Sequence, residues 1–116
     1  LRPDITNPIE VLKYLVINEG IAHFIGYTLD RTVMFTDHGD KWPTSEQNLK
    51  EVISKLSNPN IEMKEIEELL FKANTGKYWD KYASIAGMFR ATKIYSQSGA
   101  NGIINCIKNN ELPYIK

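Results

Sequence analysis

The sequence lacks the features that mark disulfide-rich, membrane-spanning or nucleic-acid-binding proteins. Its single cysteine, Cys106, excludes an internal disulfide and a zinc site built from paired thiolates. Fourteen basic and fourteen acidic residues cancel, so no long-range field draws the chain to nucleic acid or to an anionic membrane. No apolar run approaches the roughly 20 residues that a membrane span needs. We therefore expect a soluble protein without a membrane span and without a nucleic-acid partner.

Complete catalytic motifs are also missing. The sequence contains no H-E-x-x-H pair, no P-loop, no G-x-S-x-G elbow and no glycine-rich dinucleotide turn. Its two histidines, His23 and His38, are too few for a three-histidine zinc site. We therefore expect no complete active site of a standard type, and no cofactor, in the chain taken alone.

The size and composition are those of one domain. A chain of 116 residues with 42% hydrophobic residues can bury one modest core. We predict a single helical domain over residues 1–116. Because the sequence begins at Leu1 rather than methionine, we also expect it to be a piece of a longer protein, with the missing upstream segment as its partner.

Helical periodicity predicts an all-α bundle of about five helices. Asn7, Pro8 and Glu10 have the form of a capped helix start, and the apolar pattern runs from Pro8 to about Tyr27. This first helix is apolar nearly all round, so we expect it to lie centrally in the bundle. A second long central helix and three shorter helices are predicted from the same pattern: 78–97 for the long one, and 44–57, 63–73 and 100–109.

Residues 28–43 lose the helical period and predict one long irregular loop, in which residues 32–35 could form a short extended piece. Turn-favouring residues collect there: Asp37, His38, Gly39, Asp40 and Pro43. The run of residues 37–40 contains groups that bind metals. On a polar turn, however, such groups usually bond to their own backbone.

Glu19 is the most unusual residue of the first helix. It lies between Ile17 and Ile21, where burying an unpaired carboxylate would cost several kcal/mol. His23 follows four residues later on the same face. The pair could bind a metal, hydrogen-bond to each other, or point into a solvent groove, and a structural role is the more common outcome for one such pair.

A family resemblance gives these residues a more specific interpretation. The phrase V-I-N-E-G-I-A-H-F-I at residues 16–25 resembles the second zinc-site helix of gluzincin-type metallopeptidases, where N-E-G-x-A-x-(F/Y) follows the H-E-x-x-H helix. In that family the glutamate of this phrase is the third zinc ligand, which implies Glu19 as a metal ligand. His23 is a further candidate because its spacing places it on the same helix face. The resemblance also implies that Gly20 and Ala22 keep the helix slim where it passes the H-E-x-x-H helix.

A second stretch, Y-A-S-I-A-G-M at residues 82–88, resembles the helical C-terminal part of such peptidases. The similarity continues through a glycine at Ser98-Gly99 to a short helix containing Ile103 and Ile104. Some of these enzymes use a tyrosine to stabilise the tetrahedral oxyanion, so Tyr82 is the implied candidate for a catalytic residue.

The resemblance implies that the chain is the C-terminal helical portion of a zinc-dependent peptidase. It would contribute the third zinc ligand and would be inactive alone, because H-E-x-x-H is absent; the zinc would belong to the parent protein. Since proteins of this kind are often exported in bacteria, export is also implied. The alternative is a non-enzymatic helical interaction module, in which an apolar groove receives a partner helix or a second copy to form a homo-oligomer.

Overall fold

A computed structural model describes the backbone of residues 7–29 and 39–115, and the side chains of 7–26 and 39–115. Over these residues the chain is helical and contains no strand, which confirms the predicted all-α class. The elements are α1 (Pro8–Leu29), α2 (Lys41–Leu56), α3 (Met63–Lys72), a short 3-10 helix (Tyr78–Asp80) and α4 (Tyr82–Asn109). Within the described ranges, no helix is both long and apolar enough to cross a bilayer.

α1 begins where the sequence predicts. The Asn7 side-chain oxygen accepts hydrogen bonds from the backbone N–H groups of Ile9, at 3.1 Å, and Glu10, at 3.4 Å, and so satisfies two otherwise unpaired donors. The helix continues to Leu29, beyond the predicted end at Tyr27. The predicted loop is therefore shorter than expected at this end. The extended piece proposed within it, together with Asp37 and His38, lies outside the described residues.

The start of α2 was predicted wrongly. The helix begins at Lys41, so Thr44 lies inside its first turn and is not the residue before it. The Thr44 N–H donates a hydrogen bond of 2.9 Å to the carbonyl oxygen of Asp40. Pro43 lies in the first turn, where its missing N–H has no intrahelical partner to lose. Tertiary contacts explain the earlier start, because the Trp42 ring stacks on Phe89 with a centroid separation of 5.8 Å.

α4 covers two of the predicted helices because Gly99 bends the helix without ending it. Gly99 has φ +65° and ψ −160°, a conformation that is essentially restricted to glycine. The break predicted at Ser98-Gly99 is therefore present as a kink, although the described residues form four separate α-helices and not five. The short 3-10 helix takes the place of the predicted first turn at Tyr78.

The core lies between α1 and α4, with α2 packed against α4. From Tyr82 to Phe89 every residue of α4 is buried, as expected for a central helix. α3 lies on the outside and has no fully buried residue; Met63 at its start is 67% exposed. Cys106 is free and buried.

α1 and α4 touch through their backbones at two glycines. A Cβ added to Gly20 would lie 2.5 Å from the Cα of Gly87, and a Cβ added to Gly87 would lie 2.1 Å from the carbonyl oxygen of Val16. Real Cβ atoms do not approach so closely, so only glycine fits at this crossing. In this chain Gly20 therefore makes α1 slim towards α4, whereas Ala22 is exposed.

A polar cluster joins α2, α4 and the C-terminal tail. The guanidinium of Arg90 donates to both carboxylate oxygens of Glu46, at 2.8 and 2.7 Å, and to the backbone carbonyl of Leu112 at 2.9 Å. The Trp42 indole N–H donates to the same carboxylate at 2.9 Å. After α4 the tail is non-helical and is anchored by the buried Leu112 side chain.

Candidate functional site

Glu19 lies on α1 beside the glycine crossing, and its side chain is half-buried. Among the residues that the structure describes, no hydrogen bond and no ion pair holds its carboxylate. Partial exposure lets water solvate this charge, which reduces the cost that full burial would impose. The carboxylate is therefore accessible to a cation or donor that the described residues do not supply.

His23, one helical turn after Glu19, uses both ring nitrogens. Nδ1 lies 2.8 Å from the backbone carbonyl oxygen of Glu19, and Nε2 lies 2.8 Å from Nζ of Lys81. An ammonium group can only donate, so Nε2 accepts from Lys81, and Nδ1 carries the proton that it donates to the carbonyl. His23 thus bonds to the main chain of Glu19 and not to its carboxylate. Metal binding by Nε2 would first require Lys81 to move away.

Lys81 and Tyr78 complete this cluster, and the sequence analysis singled out neither of them as a site residue. Lys81 directly precedes α4, and its Nζ lies 4.9 Å from the centroid of the Tyr78 ring, within the range of a cation–π interaction. The Tyr78 and His23 ring centroids are 5.9 Å apart. No spacing rule connects residues 23, 78 and 81, because only the packing of α1 beside the start of α4 brings them together.

Tyr82 lies in a different environment. Its side chain is buried, and its hydroxyl donates to the backbone carbonyl of Leu69 on α3 at 2.5 Å. Burial raises the pKa of Tyr82 from 10.0 to about 12, because the phenolate would lose its hydration. An oxyanion donor must direct its proton into a substrate site, whereas this hydroxyl is directed at α3. The catalytic role of Tyr82 stays a prediction that would require α3 to move.

The described residues do not form a complete zinc site by themselves. Among them there is no group of three or more His, Cys, Asp or Glu side chains placed to hold a metal ion. Catalytic zinc sites use three protein ligands and keep a fourth position open. Glu19 fits one of these positions, since it is an accessible carboxylate without a protein partner in the described part. Of the loop run proposed as an alternative metal site, only Gly39 and Asp40 are described, and both are exposed.

The outward side of α1 next to Glu19 carries two small residues, at positions 22 and 26. Asn18, Ala22 and Gly26 are exposed there, and a Cβ added to Gly26 would have no atom of another described element within 4 Å. Residues three and seven positions after Glu19 lie on its side of the helix, so Ala22 and Gly26 leave space for a second helix to approach it.

Comparison with known proteins identifies a family. A family model with the description "Putative zinc dependent peptidase (DUF5700)" matches residues 6–116. No curated protein and no solved structure matches the chain. The matched range covers nearly the whole sequence and includes Glu19, His23 and Tyr82.

Proposed function

The chain belongs to this family of zinc peptidase-like proteins, and from that premise we propose that it forms the glutamate-bearing helical part of a zinc-dependent peptidase. In this proposal Glu19 is the metal ligand that the chain contributes, and the remaining ligands lie outside its described residues. The chain alone would then be inactive. The observation that carries the proposal is the half-buried Glu19 carboxylate, which has no partner in the described structure.

Electrostatics support Glu19 as the ligand. A carboxylate partly removed from water is stabilised by a nearby cation, and zinc accepts carboxylate oxygens alongside imidazole nitrogens. The N-E-G phrase is the sequence signature of this role in gluzincin-type enzymes, and Asn18-Glu19-Gly20 matches it. His23 is the weaker candidate, because both of its ring nitrogens already have hydrogen-bond partners.

The surroundings of Glu19 also suit this role. Gly20 holds α1 in direct contact with α4 on one side, which positions the helix that carries Glu19. On the outward side, Ala22 and Gly26 leave room for a helix that could present H-E-x-x-H histidines. In such peptidases zinc supplies a polarised water and a Lewis acid for the peptide carbonyl. The described residues of this chain would orient the ligand and limit access to it.

The test is a Glu19→Gln variant of the full-length protein, which keeps the shape of the side chain and removes its charge. We expect zinc affinity to fall by more than about 100-fold, since losing even an indirect hydrogen-bond partner of a ligand costs about 10–100-fold. Metal content measured by mass spectrometry and hydrolysis of a peptide substrate provide the readouts.

Glu10→Gln is the matched control, because Glu10 is exposed in the first turn of the same helix. It should retain wild-type zinc and activity. Wild-type zinc content in Glu19→Gln would remove Glu19 as a ligand. The absence of H-E-x-x-H from the full-length coding sequence would remove the gluzincin assignment.

A second candidate function is supported by a separate observation. Ile104 and Ile107, in the last part of α4, are 47% and 56% exposed. Ile107 also lines a groove of about 390 Å³ against the Tyr14 and Ile21 side of α1. Such a surface could receive a partner helix or a second copy of the chain in a non-enzymatic module. Light scattering that shows a monomer at every concentration would argue against self-association.

A further inference from the structure

Lys81 carries a positive charge that has no carboxylate counter-ion in the described part of the chain. No described Asp or Glu oxygen lies within 4.0 Å of its Nζ, and the ion pair that the structure does show joins Arg90 to Glu46. Lys81 is half-buried, so water only partly solvates its charge. A partly desolvated ammonium without a counter-ion is a favourable place for an anion.

The ammonium group is also held in position. His23 Nε2 accepts one of its hydrogen bonds at 2.8 Å, and the face of Tyr78 lies 4.9 Å away. A neutral imidazole and an aromatic ring stabilise the cation without neutralising it. Since an ammonium group has three N–H donors, two remain for a ligand. The side-chain entropy that an ordinary lysine loses on binding has largely been lost before the ligand arrives.

The cluster is connected to the turn of α1 that carries Glu19. His23 donates to the carbonyl of Glu19 and accepts from Lys81, so one imidazole links the cation to that turn. Four residues along a helix correspond to a rise of about 6 Å. An extended peptide advances about 3.3–3.6 Å per residue, so two of its residues span the rise between Glu19 and His23 on α1.

We propose that Lys81 anchors a carboxylate of a peptide ligand, with His23 as the residue that positions the ammonium. The peptide part of this proposal rests on the proposed peptidase function. A carboxylate is the anion that an unmodified peptide offers, either at its C-terminus or on an Asp or Glu side chain. Its negative charge would pair with the Lys81 ammonium, which has N–H groups left to donate a charge-assisted hydrogen bond.

The test measures binding of small peptides to the full-length protein after zinc has been removed by chelation. The probes are N-acetyl-Gly-Ala as the free acid, the same dipeptide as its C-terminal amide, and the α-amide of N-acetyl-glutamate. We expect the free acid to bind at least about tenfold more tightly than its amide in calorimetry, because a charge-assisted hydrogen bond is lost in the amide. Equally tight binding by the glutamate derivative would show that a side-chain carboxylate is also accepted.

Lys81→Met should abolish the preference for the free acid, and Lys81→Arg should preserve it. Lys77→Met is the control, because Lys77 is an exposed lysine just before the 3-10 helix. His23→Ala should weaken binding of the acid but not of the amide, provided its thermal melting shows a folded protein. The proposal is overturned if acid and amide bind equally, or if Lys81→Met binds the acid as the wild type does.

This result is independent of the zinc assignment because it is obtained without metal. If acid and amide bound equally, the result would say nothing against Glu19 as a zinc ligand, which the Glu19→Gln variant tests separately. Conversely, a Glu19→Gln protein that keeps its zinc would leave the anion site at Lys81 intact.

Discussion

The Tyr82 hydroxyl shows how burial controls the chemistry of a single residue. It donates to the Leu69 carbonyl, and its pKa is raised to about 12 because the phenolate would be poorly solvated in the core. The folded protein therefore holds this proton to higher pH than the unfolded chain, whose tyrosine ionises near 10. The stabilisation is complete below pH 10 and is lost as the pH rises towards 12.

Tyr82→Phe tests this linkage. At pH 7 we expect a loss of about 1 kcal/mol in the free energy of unfolding, because the Leu69 carbonyl loses its donor. Between pH 10 and 12 the wild type should lose roughly 2–3 kcal/mol more than the variant, since each pKa unit corresponds to about 1.4 kcal/mol. Urea unfolding at several pH values provides the measurement. Tyr95→Phe, at a 48% exposed tyrosine, should keep the wild-type alkaline slope, and identical slopes in all three proteins would contradict the prediction.

The main packing device at the level of elements is the crossing of α1 and α4. At Gly20 and Gly87 the two backbones touch, which brings the helix carrying Glu19 to a defined position against the core. A methyl group at either glycine cannot be accommodated by rotating a side chain, because the atoms it would meet belong to the backbone. Any larger residue must therefore push the two helices apart.

Gly20→Ala and Gly87→Ala should each lower the free energy of unfolding by about 1–3 kcal/mol or more, the usual cost of overpacking a core. Gly26→Ala on the same helix is the control, since its new Cβ would meet no described neighbouring element. It should be neutral or stabilising by up to about 1 kcal/mol, because alanine favours the helix. Chemical denaturation gives all three values. A Gly20→Ala protein as stable as Gly26→Ala would show that the helices do not cross here.

For the molecule as a whole, the Arg90–Glu46 pair connects segments that are distant in the sequence. Their side chains are only 18% and 17% exposed, and the bond from Arg90 to Leu112 ties the tail to the same point. A bidentate pair in this setting is more directional than a surface ion pair, since both oxygens and three guanidinium nitrogens are used. Removing Arg90 would leave the partly buried Glu46 carboxylate without a counter-ion, with the Trp42 indole N–H as its remaining donor.

We expect Arg90→Ala to cost roughly 3–5 kcal/mol in the free energy of unfolding. Arg90→Lys should recover only part of this loss, because an ammonium cannot reproduce the forked geometry. Lys50→Ala, at an exposed position of α2, should change stability by no more than about 0.5 kcal/mol. Urea unfolding checks these values. Full recovery in Arg90→Lys would mean that charge alone, and not bidentate geometry, holds the three segments together.

Local signals were enough to predict much of the fold. The Asn7 cap, the apolar repeat of α1 and the break at Gly99 depend on neighbouring residues, so each could be recognised from the sequence. The start of α2 at Lys41 could not be recognised in this way. The contact between Trp42 and Phe89 instead favours an earlier start.

The candidate site also contains residues that the sequence could predict and residues that it could not. A carboxylate in an apolar helix, followed by Gly20, singled out Glu19 from the sequence, because periodicity places it among hydrophobic neighbours. The partner of His23 could not be predicted, since Lys81 lies 58 residues further along the chain. The sequence by itself therefore determined the all-α class and most helix boundaries, and it singled out Glu19 as a candidate. Only the tertiary structure decided that Tyr82 is buried against α3 and that Lys81 reaches His23, because the first contact depends on how α3 packs beside α4 and the second on where α1 and α4 cross.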